Sequence, residues 1–375
     1  MTIAVLKEIL PETRVALTPE TVHKLTQTRV NVFVEEGAGE NAHFRDSDYI
    51  QSGATVVTRN DLIEKADCIL TLSPMMPEEL TRWKGKMLIG ALDPYNSRSQ
   101  IDALLAAGIT SFSLDLLPRT TLAQSMDILS SMATISGYRA VLDAAARLPR
   151  FFPMFMSASG TIKPAMMLIL GAGVAGLQAI ATARRLGAVV EVFDVRSAVK
   201  EEVQSLGGKF VEVEGAREDS AAGGYAVDQT EEFLQKQREL IHQRALRSDV
   251  VICTAMIPGK KAPTLLYKRT VEAMKGGSVI VDLAASSGGN CELTINNDLI
   301  VHKGITIIGK SDYPRSMPID ASYMLGHNFF SFLQLILDDA GNLNLNWKDE
   351  IINTSCLTRD GVIVNGKIKQ FYTNI

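Results

Sequence analysis

The sequence predicts an α/β protein with two doubly wound parallel-sheet domains joined by long helices. Three observations lead to this fold class. Short apolar runs alternate with amphipathic helical runs along most of the 375 residues, as in parallel sheets that helices cover on both faces. The chain is long enough to bury two cores. Near its middle, residues 166–194 combine a strand, a glycine-rich turn, a helix and a second strand.

The first half carries apolar runs that we expect to be strands. They lie at residues 3–6, 30–34, 55–57, 67–71, 87–89 and 109–112. Helical runs separate them, and the first helix is expected to begin at Thr18, Pro19 and Glu20, which supply a capping hydroxyl, a proline and an acid. No phosphate-binding loop is evident in this half.

The glycine-rich turn in the middle of the chain carries the clearest motif. Gly171, Gly173 and Gly176 form a G-x-G-x-x-G pattern between a buried strand and a helix. The first glycine permits a tight turn, the second lets a pyrophosphate approach the backbone, and the third brings the helix against the strand. An ordinary turn is the alternative, but the complete strand–turn–helix–strand context favours a Rossmann-like dinucleotide site.

Asp194 closes the strand that follows this helix, roughly 20 residues after the first glycine, where an acid that binds an adenosine ribose belongs. A carboxylate accepts a hydrogen bond from the free 2′-hydroxyl of NAD and repels the 2′-phosphate of NADP. We therefore expect NAD(H). Arg196 is either a phosphate ligand or a surface charge at the start of a helix.

The second half continues with expected strands at residues 209–213, 250–254, 278–282 and 305–308. Long helical patterns at 125–148 and 317–337 suggest two connecting helices, and the tail suggests a hairpin from 351–353 and 362–364. We predict a first Rossmann-like domain at 1–125 plus 338–375, and a nucleotide-binding domain at 126–337. The glycine-rich stretch 214–228 is either a surface loop or a mobile lid.

Composition excludes several classes of protein. A net charge of −4 gives no basic surface for nucleic acid. The four cysteines are scattered without metal-ligand spacing, so we expect reduced thiols, a cytoplasmic location and no metal site. No apolar run reaches the roughly 18 residues that a spanning helix needs, so any membrane link runs through a partner.

A second polar feature precedes the first long helix. Arg119, Gln124, Asp127 and Ser130 lie in the stretch PRTTLAQSMDILSS, where they either line a cleft or cap the helix, with Thr121 and Gln124 matching a capping box. The five histidines form no arrangement with a cysteine, serine or carboxylate, so no general base is evident. Direct hydride transfer between two nicotinamide rings needs no such base.

These two features together resemble the soluble NAD(H)-binding component, domain I, of proton-translocating NAD(P) transhydrogenases. The resemblance covers nearly the whole chain. The matching blocks are KE at 7–8, ETRVALTPE at 12–20, AQSMDILSS at 123–131, GYRAV at 137–141, GAGVAGLQAIATARRLGAVV at 171–190, DVR at 194–196, SLGGKF at 205–210, IPGK at 257–260, GGNC at 288–291 and TRDG at 358–361.

The resemblance implies roles for these residues. The catalytic residues Arg119, Gln124, Asp127 and Ser130 would bind the nicotinamide, and Tyr225 would close a mobile loop over the nucleotide. Gly171, Gly173, Val174 and Gly176 would bind the pyrophosphate and Asp194 the adenosine ribose, with Val195 and Arg196 as further cofactor-binding residues. It also implies a homodimer that passes hydride from NADH to NADP⁺ on a partner subunit. The NADP(H)-binding and membrane-spanning subunits would hold the chain at the inner membrane as a peripheral cytoplasmic protein.

Alanine dehydrogenase shares this fold and is the alternative, together with a non-catalytic NAD-binding regulator. Alanine dehydrogenases place a lysine and a histidine near the substrate, whereas the matching segments here, CILTLSP at 68–74 and LIGALDP at 88–94, contain neither. Arg14 alone remains from that substrate set. Leu122, Met132 and Ser286 depart from the transhydrogenase pattern, which expects arginine, glutamine and an acid at these positions.

Overall fold

The computed structural model describes residues 1–213, 230–257 and 259–373. The chain forms two compact units, Met1–Met132 with Pro314–Ile375, and Ala133–Tyr313. The strands, in chain order, are β1 Thr2–Val5, β2 Asn31–Glu35, β3 Thr55–Val57, β4 Cys68–Thr71, β5 Met87–Gly90, β6 Thr110–Ser113, β7 Phe155–Ser157, β8 Gly160–Ile162, β9 Met166–Leu170, β10 Val189–Phe193, β11 Lys209–Val211, β12 Val250–Cys253, β13 Val279–Asp282, β14 Asp298–His302, β15 Ile305–Gly309, β16 Cys356–Arg359 and β17 Val362–Ile363.

Helices cover both sheets. They are α1 Pro19–Thr26, α2 Asp46–Gln51, α3 Arg59–Lys65, α4 Pro77–Leu80, α5 Arg98–Ala106, α6 Ile128–Arg147, α7 Val174–Arg185, α8 Lys200–Ser205, α9 Glu231–Ala245, α10 Lys268–Ala273, α11 Pro318–Ile336, α12 Glu350–Ser355 and α13 Gly366–Thr373. Within the described ranges, no helix combines the length and apolar character needed to cross a membrane.

The sheet of the first unit has the strand order β17-β16-β6-β5-β4-β1-β2-β3. Strands β1 to β6 are parallel, whereas β16 is antiparallel to β6 and to β17. All residues of β4 and β5 are buried, as expected for the central strands of a sheet that is covered on both faces. Helix α11 packs its Leu325, Phe329 and Phe332 side chains into this core.

The sheet of the second unit has the order β11-β10-β9-β12-β13-β15-β14, in which β14 is antiparallel to β15 and the other described strand pairs are parallel. The chain moves outward from β9 through β10 to β11, and then crosses to β12 on the other side of β9. In sheets of this type, ligands bind beyond the carboxyl ends of the strands at that point of reversal. The turn after β9 is therefore the expected place for a ligand.

The predicted fold class, two doubly wound parallel-sheet domains, is confirmed. The predicted domain boundaries at 125 and 337 remain a prediction, and the compact units differ from them at α11, whose core contacts place it in the first unit. The sequence interpretation missed the β7–β8 hairpin and strand β14.

One tail strand was predicted at the wrong place. Residues 351–353 belong to α12, because Asp349 caps that helix by accepting from the N–H groups of Ile351 and Ile352. The hairpin instead pairs β16 with β17. Its turn uses Asp360 and Gly361, both with positive φ, as a two-residue hairpin turn requires.

Candidate functional site

The turn between β9 and α7 is shaped by its glycines. Gly171 has a φ of +106°, a left-handed conformation that favours glycine. A Cβ atom on Gly171 would lie 2.5 Å from Oγ1 of Thr254, and one on Gly176 would lie 2.0 Å from the carbonyl oxygen of Gly171. Both positions therefore require glycine, because a side chain would collide with the neighbouring backbone or strand.

Gly173 differs from its two neighbours in the motif. It is the N-cap residue of α7, and a Cβ atom built on it would meet no atom of the described residues within 4 Å. Glycine offers no side-chain oxygen to the N–H groups of the first helical turn, and such groups favour an anion. The space beside Gly173 thus admits an anionic group close to the backbone at the start of α7.

Thr254, which follows β12, anchors this turn from the adjacent strand. Its Oγ1 lies 3.2 Å from the carbonyl oxygen of Leu170 and 3.0 Å from that of Gly171, as a donor to both. Asn290 in turn holds Ala255: its Oδ1 accepts from the Ala255 N–H at 3.0 Å, and its Nδ2 donates to the Ala255 carbonyl at 2.8 Å. The glycine turn is therefore fixed by contacts distant in sequence.

Asp194 lies at the tip of β10 with only 7% of its side chain exposed. Its Oδ2 accepts from the Ala172 N–H at 2.7 Å, which ties it to the glycine turn. Its Oδ1 accepts from the backbone N–H of Arg196 at 2.9 Å, and the Arg196 guanidinium donates to both carboxylate oxygens. The hydrogen bond to Asp194 raises the pKa of Arg196. Arg196 is therefore not a plain surface charge, because it forms a forked pair with Asp194.

The polar segment before α6 belongs to the first unit. Asp127 precedes α6 and accepts from the Ser130 backbone N–H at 2.9 Å and from the Ser130 hydroxyl at 2.6 Å. Asp127 and Ser130 are thus brought together, in the arrangement of a helix N-cap. The capping box matched by Thr121 and Gln124 is not formed in the described structure, because the Gln124 N–H donates to the Thr121 carbonyl oxygen at 3.4 Å and not to its hydroxyl.

Gln124 and Arg119 are exposed on the same segment, while Ala123 and Met126 beside them are buried. Ala123 and Met126 pack in the core against α11, and Nδ2 of Asn328 donates to the carbonyl oxygen of Ser125 at 2.8 Å. These contacts with α11 therefore fix the position of the turn, and the Gln124 side chain points away from the core. The sequence carried no signal for this contact, because Asn328 lies about 200 positions away in the chain.

Three further predicted positions have different environments. Leu122 is 80% exposed, Met132 is partly buried against the core, and the Ser286 N–H donates to Oγ of Ser311 at 3.1 Å. Tyr225, predicted at a loop tip, lies outside the described residues. Val195 packs against the apolar cluster of the second unit on the face of Leu170 and Phe193.

Glu8 is a partly buried carboxyl group to which the sequence interpretation assigned no role. It follows β1 and accepts from the Leu72 N–H at 2.6 Å and from Oγ1 of Thr71 at 3.3 Å. Burial raises the pKa of Glu8 to about 7, an effect that outweighs these hydrogen bonds. Its carboxyl group bridges β1 and β4 where the order of the first sheet reverses.

Comparison with known proteins identifies the family. The model of the alanine dehydrogenase/PNT N-terminal domain matches residues 4–136, and that of the C-terminal domain matches residues 140–366. The chain belongs to the alanine dehydrogenase/PNT family. The predicted resemblance to transhydrogenases, with alanine dehydrogenase as a relative, is confirmed.

Within the alanine dehydrogenase/PNT family, the chain is a transhydrogenase component. It is 44% identical over 376 residues to the first part of the NAD(P) transhydrogenase alpha subunit of Rhodospirillum rubrum, covering 97% of this chain and 98% of that protein. It is 40% identical to NAD(P) transhydrogenase subunit alpha of Haemophilus influenzae, covering 96% of this chain and 71% of that protein. The transhydrogenase structure from Sinorhizobium meliloti superimposes with a TM-score of 0.88 at 40% identity, covering 97% of this chain and all of that one.

Proposed function

We propose that this chain binds NAD(H) and passes hydride from NADH to NADP⁺ on a partner subunit of a proton-translocating transhydrogenase. The observation that carries the proposal is the open space beside Gly173 at the start of α7, in a turn whose other two glycines are required for packing. A pyrophosphate is the group that such a helix N-terminus accommodates.

Different residues of the second unit would bind the pyrophosphate and the adenosine ribose of NAD(H). Gly171, Gly173, Val174 and Gly176 would hold the pyrophosphate through their backbone, and Asp194 would bind the adenosine ribose. Val195 and Arg196 would be further cofactor-binding residues beside Asp194. Asp194 is already oriented by the Ala172 N–H at 2.7 Å, so its position does not have to be organised on binding. NADH, when bound, supplies the hydride from its nicotinamide ring.

The polar segment of the first unit would orient the reacting end of the cofactor. Gln124 and Arg119 are exposed, and Asp127 and Ser130 are joined by two hydrogen bonds that fix their orientation. We assign nicotinamide and carboxamide binding to these four residues, and closure of the site to Tyr225. Hydride transfer between two nicotinamides requires alignment of the two rings and no proton acceptor.

The partners would be the NADP(H)-binding and membrane-spanning subunits, which hold the chain at the cytoplasmic face of the inner membrane. A homodimer is supported by the β7–β8 hairpin, all of whose residues are exposed. Phe151 stacks on Phe155 with ring centroids 5.3 Å apart, and Met154 and Met156 are 60% and 70% exposed. A second copy of the chain would cover this apolar surface.

The test is to mix the purified chain with the NADP(H)-binding domain of a transhydrogenase and follow hydride transfer between nucleotide analogues. Transfer should require both proteins and should disappear without the partner. If the chain binds NADH and the partner gives no stimulation, the proposal is wrong and a regulatory protein is favoured. Alanine-dependent reduction of NAD⁺ by the chain alone would instead establish an alanine dehydrogenase.

A further inference from the structure

Asp194 and Arg196 form a closed pair at the ribose end of the candidate site. Nε of Arg196 donates to Oδ1 of Asp194 at 2.9 Å, and Nη2 donates to Oδ2 at 2.8 Å. This is the two-pronged geometry in which a guanidinium binds a carboxylate or a phosphate most strongly. The Arg196 side chain keeps 25% of its surface exposed, whereas that of Asp194 keeps 7%.

The two residues favour different nucleotides. An acid at this strand tip accepts from the 2′-hydroxyl of NAD, whereas a nearby arginine accommodates the 2′-phosphate of NADP. The chain contains both, two positions apart, and the carboxylate already takes up donors of the guanidinium. The choice between the two nucleotides therefore depends on whether the Arg196 guanidinium binds the Asp194 carboxylate or a 2′-phosphate.

We infer that Arg196 is a latent 2′-phosphate ligand, and that Asp194 excludes NADP(H) both by repelling the phosphate and by occupying the Arg196 fork. This inference rests on the proposed NAD(H) function of the same site. It deepens that function because a protein that donates hydride to NADP⁺ on a partner must keep NADP(H) out of its own site. Replacing Asp194 alone should then be enough to admit NADP(H).

The contacts of Asp194 make an asparagine the suitable replacement. In Asp194→Asn the side-chain amide oxygen can still accept from the Ala172 N–H, so the glycine turn keeps its contact with β10. The replacement removes the charge that pairs with Arg196 and leaves the guanidinium in place. Glu202, which also contributes to the raised pKa of Arg196, remains as another anion acting on the guanidinium.

The experiment measures the dissociation constants of NADH and NADPH for the full chain, for Asp194→Asn and for Asp194→Asn combined with Arg196→Met. The intact chain should bind NADH and discriminate against NADPH. The single variant should bind NADPH at least about tenfold more tightly than the intact chain does, as expected for a new charge-assisted contact. The gain should weaken with added salt and should be lost in the double variant.

Two results would overturn the inference. One is an unchanged affinity for NADPH in Asp194→Asn while NADH still binds to the intact chain. The other is an equal gain in the single and double variants, which would show that relief of repulsion suffices without Arg196. If the intact chain binds neither nucleotide, the proposed function fails instead. Asp194→Ser, which also retains an acceptor oxygen, replaces Asp194→Asn if that variant has a lowered melting temperature.

Discussion

The two sheets have the same parallel strand order, but their central turns differ. The strand order is β3-β2-β1-β4-β5-β6 in the first unit and β11-β10-β9-β12-β13-β15 in the second. The order reverses after β1 in the first unit and after β9 in the second, and the turn that follows each of these strands is the central turn. The second turn is Gly171-Ala172-Gly173 with open space beside Gly173. The first contains Lys7 and Glu8, and the Glu8 carboxyl group binds Leu72 across the point of reversal.

In both units an acidic residue at the end of the next strand contacts the central turn and pairs with an arginine. Glu35 ends β2, accepts from the Lys7 N–H at 2.7 Å and pairs with the guanidinium of Arg59. Asp194 follows β10, accepts from the Ala172 N–H at 2.7 Å and pairs with Arg196. An acid at this position therefore fastens the central turn whether or not glycines leave room for a phosphate. The glycines, rather than the acid, distinguish the two turns.

Gly176→Ala should have the largest effect on stability. Its Cβ atom would lie 2.0 Å from the carbonyl oxygen of Gly171, and backbone cannot move aside as a flexible side chain can. We expect a loss of about 1–3 kcal/mol of unfolding free energy or more, together with loss of NADH binding. Urea unfolding and an NADH titration measure both. A variant of native stability would show that α7 does not pack this closely against the turn.

Glu8→Gln tests the other turn through pH. Burial raises the pKa of Glu8 from 4.5 to about 7, so the protonated form is favoured in the folded state. Its contribution to stability is full below pH 4.5 and is lost as the pH rises through about 7. Relative to the intact chain, the glutamine variant should gain on the order of 1–3 kcal/mol between pH 5 and pH 8.

Unfolding midpoints in urea at the two pH values measure this gain. Glu36→Gln, at an exposed position of the same unit, is the matched control and should show no such trend. A stability difference between Glu8→Gln and the intact chain that is independent of pH would contradict the raised pKa of Glu8 in the folded state.

Asp127→Ala separates capping from cofactor binding in the polar segment. The loss of the contacts to Ser130 should cost about 1 kcal/mol of stability, as for other N-caps. Asp127→Ser should restore that stability, since serine is an equally good N-cap. Hydride transfer to the partner should remain low in Asp127→Ser if the carboxylate contacts the nicotinamide end. Full recovery of transfer would reduce Asp127 to a capping residue.

Gly173→Ala is the matched control for Gly176→Ala. In the part of the chain that the structure describes, nothing lies within 4 Å of the added carbon, so stability should change by less than about 1 kcal/mol. The methyl group would occupy the space assigned to the pyrophosphate, and NADH affinity should fall by about tenfold or more. An unchanged affinity would place the pyrophosphate elsewhere.

Gln124→Asn should have the smallest effect on folding. The side chain is exposed and the turn is held by Ala123, Met126 and Asn328, so stability should change by less than about 0.5 kcal/mol. Transfer to the partner should fall while NADH binding is largely kept. Unchanged transfer would show that Gln124 does not orient the nicotinamide.

The fold was predictable from sequence at positions where the local backbone conformation or close packing permits few amino acids. A left-handed Gly171 and a crowded Gly176 restrict the amino acid directly, so the motif identifies the turn. The exposed hairpin strands β7 and β8 were missed because they bury no face and therefore lack the alternation that marks a strand. Residues 351–353 were misassigned because a run of only three residues, Ile-Ile-Asn, is too short for its pattern to distinguish a strand from a short helix.

The site was predictable only in part, because its supports are distant in sequence. Thr254 and Asn328 hold the two functional segments from about 80 and 200 positions away, and neither belongs to a recognisable motif. The pairing of Arg196 with Asp194 could not be predicted from sequence either. Beyond the end of a strand, the side chains of residues two positions apart can lie on the same side or on opposite sides of the backbone. Asp127 and Ser130 are ambiguous for a different reason: capping and cofactor binding use the same residue types.

The most direct test of the central claim follows a deuterium atom. The chain and an NADP(H)-binding partner domain are mixed in ordinary water with NADH in which both hydrogens at C4 are deuterium, and the reduced NADP product is analysed by mass spectrometry. Direct hydride transfer predicts that the deuterium appears in that product, and that Gln124→Asn slows its appearance. Reduced NADP that contains hydrogen from the solvent, or its formation without this chain, would contradict the account.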